Sequence, residues 1–154
     1  QERGLRAGTE NVPGIAGFGV AARLALADLP AFARLAALRD ELEARLRAVA
    51  PGVVVFGERA PRLPNTSKLT MPGVSAETQV IGLDLAGIAV SAGSACSSGS
   101  VEPPFVLSAM GVPDAIALTA VRVSLGWGST RRDIDRFVAA WSEIYARAGK
   151  RVAA

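Results

Sequence analysis

The sequence predicts an α+β fold in which a small sheet is covered by helices. Three observations lead to this fold class. Apolar residues recur at helical spacing in several segments, short β-branched runs lie between those segments, and glycine or proline separates most of them. With 154 residues, half of them hydrophobic, the chain is long enough to bury one core.

Two helices are expected before the first strand. The first covers 13–29, and its apolar positions are Ile15, Phe18, Ala22 and Leu26. Pro30 interrupts the pattern because the residue before a proline avoids the helical region. The second helix is expected at 31–49. Glu41 with Arg45 and Glu43 with Arg47 stand four residues apart on its charged side, which predicts a solvent-facing surface with two ion pairs.

The middle of the chain alternates strands and helices. The β-branched residues at 53–56 and the run at 65–71 predict two strands. Ser75 can cap a helix over 76–86, because its hydroxyl can accept a free backbone N–H of the first turn. A short strand is expected at 88–90.

The last third of the chain predicts two more helices around a strand. Pro103 suits the first turn of a short helix that ends at Gly111. A strand is expected at 120–125. Thr130 and Asp133, three residues apart, predict the cap of the final helix.

Composition excludes several classes of function. The formal net charge of +3 is small and the arginines are interspersed with acids, so nucleic-acid binding is not favoured. Charged residues, proline or glycine interrupt every apolar run before it reaches the ~20 residues of a membrane helix. One cysteine and no histidine exclude a disulfide framework and a Cys/His zinc site. The chain begins without Met or a signal peptide and is expected to be cytoplasmic. Gly4, Gly8 and Pro13 among polar residues indicate an ordered loop at its start, so the chain is expected to be the back part of a longer protein, with a trimmed chain as the alternative.

The segment around Cys96 is the most informative. Residues 91–100 include no large side chain, so they cannot form a core around the thiol. An accessible thiol is a nucleophile to the extent that it ionises. The composition therefore leaves two interpretations open, a catalytic cysteine and an incidental surface thiol, and predicts that Cys96 is accessible to solvent.

The surrounding residues resemble a known family. The run GIAVSAGSACSSGSVEP at 87–103 closely resembles the active-site cysteine loop of the cysteine desulfurases, in the branch with a long mobile loop. Three further segments resemble the same family in the same order. They are RAGT at 6–9, NTS with MPGV at 65–74, and VRVSLG at 121–126.

This resemblance implies a fold and a reaction. The fold would be that of the aspartate-aminotransferase-like transferases that depend on pyridoxal phosphate (fold type I). Residues 1–29 would be the tail of the large cofactor-binding domain, and 30–154 the C-terminal small domain. The complete enzyme would be a homodimer that converts L-cysteine to L-alanine. Its sulfur would remain as a persulfide on Cys96 and pass to an iron–sulfur scaffold or another sulfur-acceptor protein.

The resemblance also implies roles for three residues. Cys96 would be the catalytic nucleophile, and at most a transient iron–sulfur ligand, with no resident metal. Arg122 would bind the substrate carboxylate, with its side chain on the face of the strand opposite to Val121 and Val123. Thr9 would contact the phosphate of the neighbouring subunit's cofactor.

One departure from the family limits what this chain can do alone. The family's cofactor lysine lies in a Ser-x-His-Lys segment, whereas this chain has no histidine and only Lys68 and Lys150. Pyridoxal phosphate would therefore be bound mainly by a preceding N-terminal part, and the chain alone is expected to be inactive. In that case Ile15, Phe18 and Leu26 should lose part of their burial. A stand-alone sulfur-carrier or interaction module, and an enzyme similar to selenocysteine lyase, remain as alternatives.

Overall fold

The computed structural model describes residues 2–4, 10–93 and 102–152. The chain divides into two compact units, 1–33 and 34–154. This division falls after residue 33, whereas the sequence predicts a boundary after residue 29. The assignment of the first segment to a large cofactor-binding domain stays a prediction.

The first unit is helical. It contains a 3₁₀ turn (Glu2–Gly4) and two α-helices, α1 (Val12–Ala27) and α2 (Leu29–Phe32). The Asn11 side chain caps α1 by accepting the Gly14 N–H at 3.1 Å. No residue of α1 is buried. Phe18 is 78% exposed and Leu26 is 70% exposed, so the apolar positions of this helix lack cover, as expected.

The second unit has the predicted α+β architecture. Its helices are α3 (Leu35–Val49), α4 (Ala76–Leu85), α5 (Phe105–Ala109), α6 (Asp114–Ala117) and α7 (Arg131–Val152). Its strands are β1 (Thr66–Thr70), β2 (Ser91–Ala92) and β3 (Ala120–Ser124). They form one antiparallel sheet in the order β1-β3-β2, so β3 is the central strand.

The main core lies between this sheet and three helices. Leu69 of β1 and Val121 and Val123 of β3 are buried on one face of the sheet. Helix α3 packs on β1, α4 packs on β2 and β3, and α7 packs against both helices. Trp141 of α7 is fully buried and stacks on Tyr145, with ring centroids 5.5 Å apart.

A smaller cluster covers part of the opposite face. Ala120, at the start of β3, is buried with Leu107 of α5 and Ala117 of α6, and Phe56 and Val112 pack against them. Arg122, two residues further along β3 on this same face, is exposed. This face of the sheet is therefore covered at one end and accessible at Arg122.

Two predicted strands differ from the structure. The segment 53–56 forms only an isolated bridge, Val55 with Leu69. Gly57 has a φ of 73°, which turns the chain away from β1 directly after this bridge. The strand expected at 88–90 begins at Ser91 instead. Gly87, with a φ of 71°, follows the end of α4, and the Ile88 N–H returns to the Leu83 carbonyl at 2.9 Å.

The predicted helices are present, but their bounds differ in places. Leu29 and Pro30, where the sequence predicts a break, begin α2, and the helix expected at 31–49 runs only from Leu35 to Val49 as α3. The helix expected between Pro103 and Gly111 begins at Phe105, and α6 was not predicted. The predicted caps are present. The Ser75 hydroxyl accepts the Thr78 N–H at 3.2 Å. The Thr130 N–H and hydroxyl both donate to Asp133 Oδ2 at 2.8 Å.

Of the two ion pairs expected on α3, that of Glu41 with Arg45 is present, with Oε1 and Nη1 3.4 Å apart. The expected solvent-facing pair of Glu43 with Arg47 is wrong. Glu43 is 5% exposed. Its carboxylate accepts two hydrogen bonds from the Arg62 guanidinium, at 2.7 and 3.0 Å, and one from the Ser67 hydroxyl at 2.7 Å. Arg47 instead pairs with Glu58. Glu43 lies on the side of α3 that meets β1, where the buried hydroxyl of Ser67 needs an acceptor.

No single helix in the described part of the chain is long and apolar enough to cross a membrane. Two consecutive helical stretches, Val12–Ala27 (α1) and Leu29–Val49 (α2 with α3), meet that test of length and composition only when they are counted together.

Candidate functional site

Arg122 lies at the middle of a row of three residues that crosses the sheet. In the antiparallel register it stands opposite Lys68 of β1 on one side and Ser91 of β2 on the other. Residues directly opposite each other in antiparallel strands share a face. Arg122 is exposed, and its neighbours Val121 and Val123 are buried. The predicted alternation of side chains along this strand is therefore confirmed.

Each cation of this row donates a hydrogen bond to an uncharged oxygen atom. The Arg122 guanidinium donates from Nη2 to the Ser91 hydroxyl at 3.2 Å. The Lys68 ammonium donates from Nζ to the backbone carbonyl of Ala120 at 3.1 Å. Among the residues that the structure describes, no carboxylate forms an ion pair with either cation. The row is thus a positively charged strip on the accessible part of the sheet.

The surroundings weaken the charged form of Lys68. Its side chain is half-buried, whereas that of Arg122 is exposed. Burial and the positive charge of Arg122 hold the pKa of Lys68 below its ordinary value of 10.5. An anion bound between the two side chains would oppose both effects, because it would supply the missing negative charge.

The segment that carries Cys96 begins beside this row. Ser91 and Ala92 form β2, and Gly93 follows them. A Cβ atom built on Gly93 would lie 2.4 Å from Cγ of Pro104, far inside normal contact. Gly93 and Pro104 therefore lie against each other because residue 93 has no side chain. They bracket the sequence 94–103, in which Cys96 lies.

Two of the predicted site residues, Cys96 and Thr9, lie outside the described residues. Their roles as nucleophile and phosphate contact stay predictions. Among the residues that the structure does describe, no group of three or more His, Cys, Asp or Glu side chains could hold a metal ion. The described part of the site is therefore the cationic row of Lys68, Arg122 and Ser91.

Such a row is suited to bind a carboxylate. A guanidinium can donate two parallel hydrogen bonds to the two oxygen atoms of a carboxylate, and an ammonium adds a compact point charge. Sequence reasoning predicted Arg122 but did not connect it with Lys68 or Ser91. Alternation along the predicted strands places each residue on a face, but the order and register of the strands are needed to bring the three together.

Comparison with known proteins places these features in one family. The sequence profile of the aminotransferase class-V family matches residues 1–137. A cysteine desulfurase of Klebsiella pneumoniae is 44% identical over 147 residues, which cover 96% of this chain and 37% of that protein. A cysteine desulfurase of Cereibacter sphaeroides is 48% identical over 138 residues, which cover 90% of this chain and 35% of that protein.

A solved structure agrees with the sequence comparisons. The crystal structure of a NifS-like protein from Rickettsia africae matches 95% of this chain with a TM-score of 0.79 and 39% identity. The match covers 38% of that protein. The chain thus spans little more than a third of the length of the relatives that it matches.

Proposed function

Because the chain belongs to the aminotransferase class-V family, we propose that it is the C-terminal part of a cysteine desulfurase. The whole protein would convert L-cysteine to L-alanine. The accessible Arg122, placed on the strand next to the one that leads into the Cys96 segment, carries this proposal. The desulfurase relatives, which match nearly the whole chain, support it.

Arg122 and Cys96 would have different roles toward the substrate. Arg122 would hold the carboxylate of L-cysteine by two parallel hydrogen bonds, which fixes the direction of the substrate's sulfur. The thiolate of Cys96 would attack that sulfur, and the bond between the substrate's Cβ and sulfur would break. The net change is that L-cysteine and the Cys96 thiol become L-alanine and a Cys96 persulfide. An iron–sulfur scaffold or another acceptor protein would then take the sulfur.

Pyridoxal phosphate is the cofactor of this family, and this sequence lacks the Ser-x-His-Lys segment in which the family's cofactor lysine lies. A site for this cofactor needs a lysine that is free to form a Schiff base. The chain has two lysines and no histidine. Lys68 follows Ser67 and Lys150 follows Gly149, so neither lysine matches that segment. We therefore propose that the N-terminal part of a longer protein binds the cofactor, with Thr9 contributing to the phosphate site of the neighbouring subunit in a cytoplasmic homodimer.

The test uses the longer protein encoded by the gene that contains this sequence. Purified enzyme with L-cysteine should form alanine and a persulfide, and Cys96→Ser should abolish the persulfide while L-cysteine still binds. A Ser98→Ala variant is the matched control, because it alters the same segment without removing the thiol. Persulfide formation that persists in Cys96→Ser would reject the proposed nucleophile.

A second assay tests whether this chain is active without the proposed N-terminal part. The 154-residue chain, mixed with pyridoxal phosphate and L-cysteine, should form alanine no faster than free pyridoxal phosphate does. Alanine formation above that level, lost in Cys96→Ser, would show that this chain is an enzyme by itself.

A further inference from the structure

Two cations stand directly opposite each other in the sheet. Lys68 and Arg122 are register partners on one face of β1 and β3. Like charges in directly opposed positions destabilise a pair of strands. A sheet selected only for stability would place an acidic or neutral residue at one of these positions. The pair therefore calls for an explanation other than stability.

The structure provides no internal anion that would relieve this repulsion. In the described parts of the chain, Lys68 and Arg122 donate to a backbone carbonyl and to a hydroxyl, and neither donates to a carboxylate. The ammonium of Lys68 is also half-buried, which adds a desolvation cost to the repulsion by Arg122. Both costs would fall if an anion from outside the chain bound between the two groups.

We propose that Lys68 is a second binding residue for the substrate carboxylate, beside Arg122. The inference rests on the proposed function, since it takes the ligand to be an amino acid. Arg122 supplies the planar pair of donors that sets the orientation of the carboxylate, and Lys68 adds a charge on its four-carbon stem. To bind, the Lys68 ammonium leaves the Ala120 carbonyl, and Arg122 exchanges the Ser91 hydroxyl for a stronger, charged acceptor.

The arrangement also predicts a specific selectivity. The carboxylate of L-alanine would be attracted by both cations, whereas the carboxamide group of L-alaninamide is neutral and would gain no such attraction. The α-ammonium group is common to both ligands near neutral pH and cancels in the comparison. The preference for L-alanine over L-alaninamide therefore measures the contribution of the cationic pair. Removal of Lys68 should reduce that preference about tenfold, the effect of losing one hydrogen bond to a charged group.

The experiment titrates the isotope-labelled 154-residue chain with L-alanine and with L-alaninamide, and follows the backbone amide signals by NMR. We expect L-alanine to shift the signals of residues 68, 91 and 122. Lys68→Met, which keeps the apolar stem, and Lys68→Gln, which is a milder change, should both lower the preference for the carboxylate. Arg59→Gln is the control, because this substitution removes one positive charge from an exposed residue that is not part of the row.

Three outcomes would overturn the inference. The first is an unchanged preference in both Lys68 variants whose spectra show a folded chain. If Arg122→Gln loses the preference in that case, the carboxylate role of Arg122 in the proposed function stands without Lys68. The second is an equal loss in Arg59→Gln, which would indicate a general effect of charge. The third is a wild-type chain whose signals at 68, 91 and 122 do not respond to L-alanine, a result that leaves the persulfide assay of the whole enzyme unaffected.

Discussion

Replacement of Arg62 by methionine should destabilise the second unit more than any loss of a surface ion pair. Arg62 donates two hydrogen bonds to Glu43, and the exposed fractions of the two side chains are 17% and 7%. Loss of one partner from a buried pair leaves the other charge uncompensated, at a cost of 3–5 kcal/mol. Because Arg62 is partly exposed, we expect the low end, about 3 kcal/mol of the free energy of unfolding.

The pH dependence of the stability that Glu43 contributes should change sign in Arg62→Met. Burial alone would raise the pKa of Glu43, but hydrogen bonds from Arg62 and Ser67, with the charges of Arg62 and Arg39, hold it below 4.5. In the wild type, Glu43 thus contributes stability above pH 4.5 that is lost as the pH falls through its lowered pKa. Without Arg62, burial should raise that pKa above 4.5, so the variant gains stability relative to the wild type on acidification.

Denaturant unfolding at neutral pH and near pH 4 measures both effects. Arg47→Met is the matched control, because Arg47 lies on the same helix as Glu43 but pairs with Glu58 at the exposed surface. The control should change stability by about 0.5 kcal/mol or less. Adding Glu43→Gln to Arg62→Met should restore part of the lost stability, since the buried charge is removed. An Arg62→Met cost no larger than that of the control would refute the reasoning.

Three further substitutions test other contacts. Ser75→Ala should lower the free energy of unfolding by about 1 kcal/mol, measured by denaturant unfolding, because α4 loses its cap; no change would contradict the role of this hydroxyl. Gly93→Val should cost about 1–3 kcal/mol in the same assay, because its side chain overlaps Pro104, and an unchanged midpoint would show that the two segments separate easily. Arg122→Lys in the longer enzyme should raise the KM for L-cysteine about tenfold or more, because one of two hydrogen bonds to the carboxylate is lost; unchanged kinetics would remove Arg122 from the substrate site.

The fold class was predictable because the second unit carries its own local signals. Ser75, Thr130 and Asp133 mark helix starts by hydrogen bonds within a few residues, and those bonds form as expected. The short strand at Ser91–Ala92 was misplaced because its position depends on pairing with β3 rather than on its own residues. Local chemistry therefore predicted the helix caps, whereas tertiary contacts decided where this strand begins.

The surroundings of the charged residues were even less predictable, because they also depend on tertiary contacts. Glu43 has the spacing of a surface residue, and its burial follows from Arg62 and Ser67, which are distant in sequence. Arg122 was found through a resemblance of the whole VRVSLG run, together with strand alternation. Lys68 was not connected with it, because the register that places the two opposite each other exists only in the folded sheet.

The position of Arg122 on the central strand affects the entropy of binding. The backbone of β3 is hydrogen-bonded to a strand on each side, so residue 122 is already ordered when a ligand arrives. Binding then restricts only the side-chain torsions, at roughly 0.5–1.5 kcal/mol for a flexible side chain. The same arginine on an unpaired loop would also lose about 1–2 kcal/mol of backbone freedom for each residue ordered. The sheet thus holds a pre-organised backbone beneath a side chain that remains free to adjust to the carboxylate.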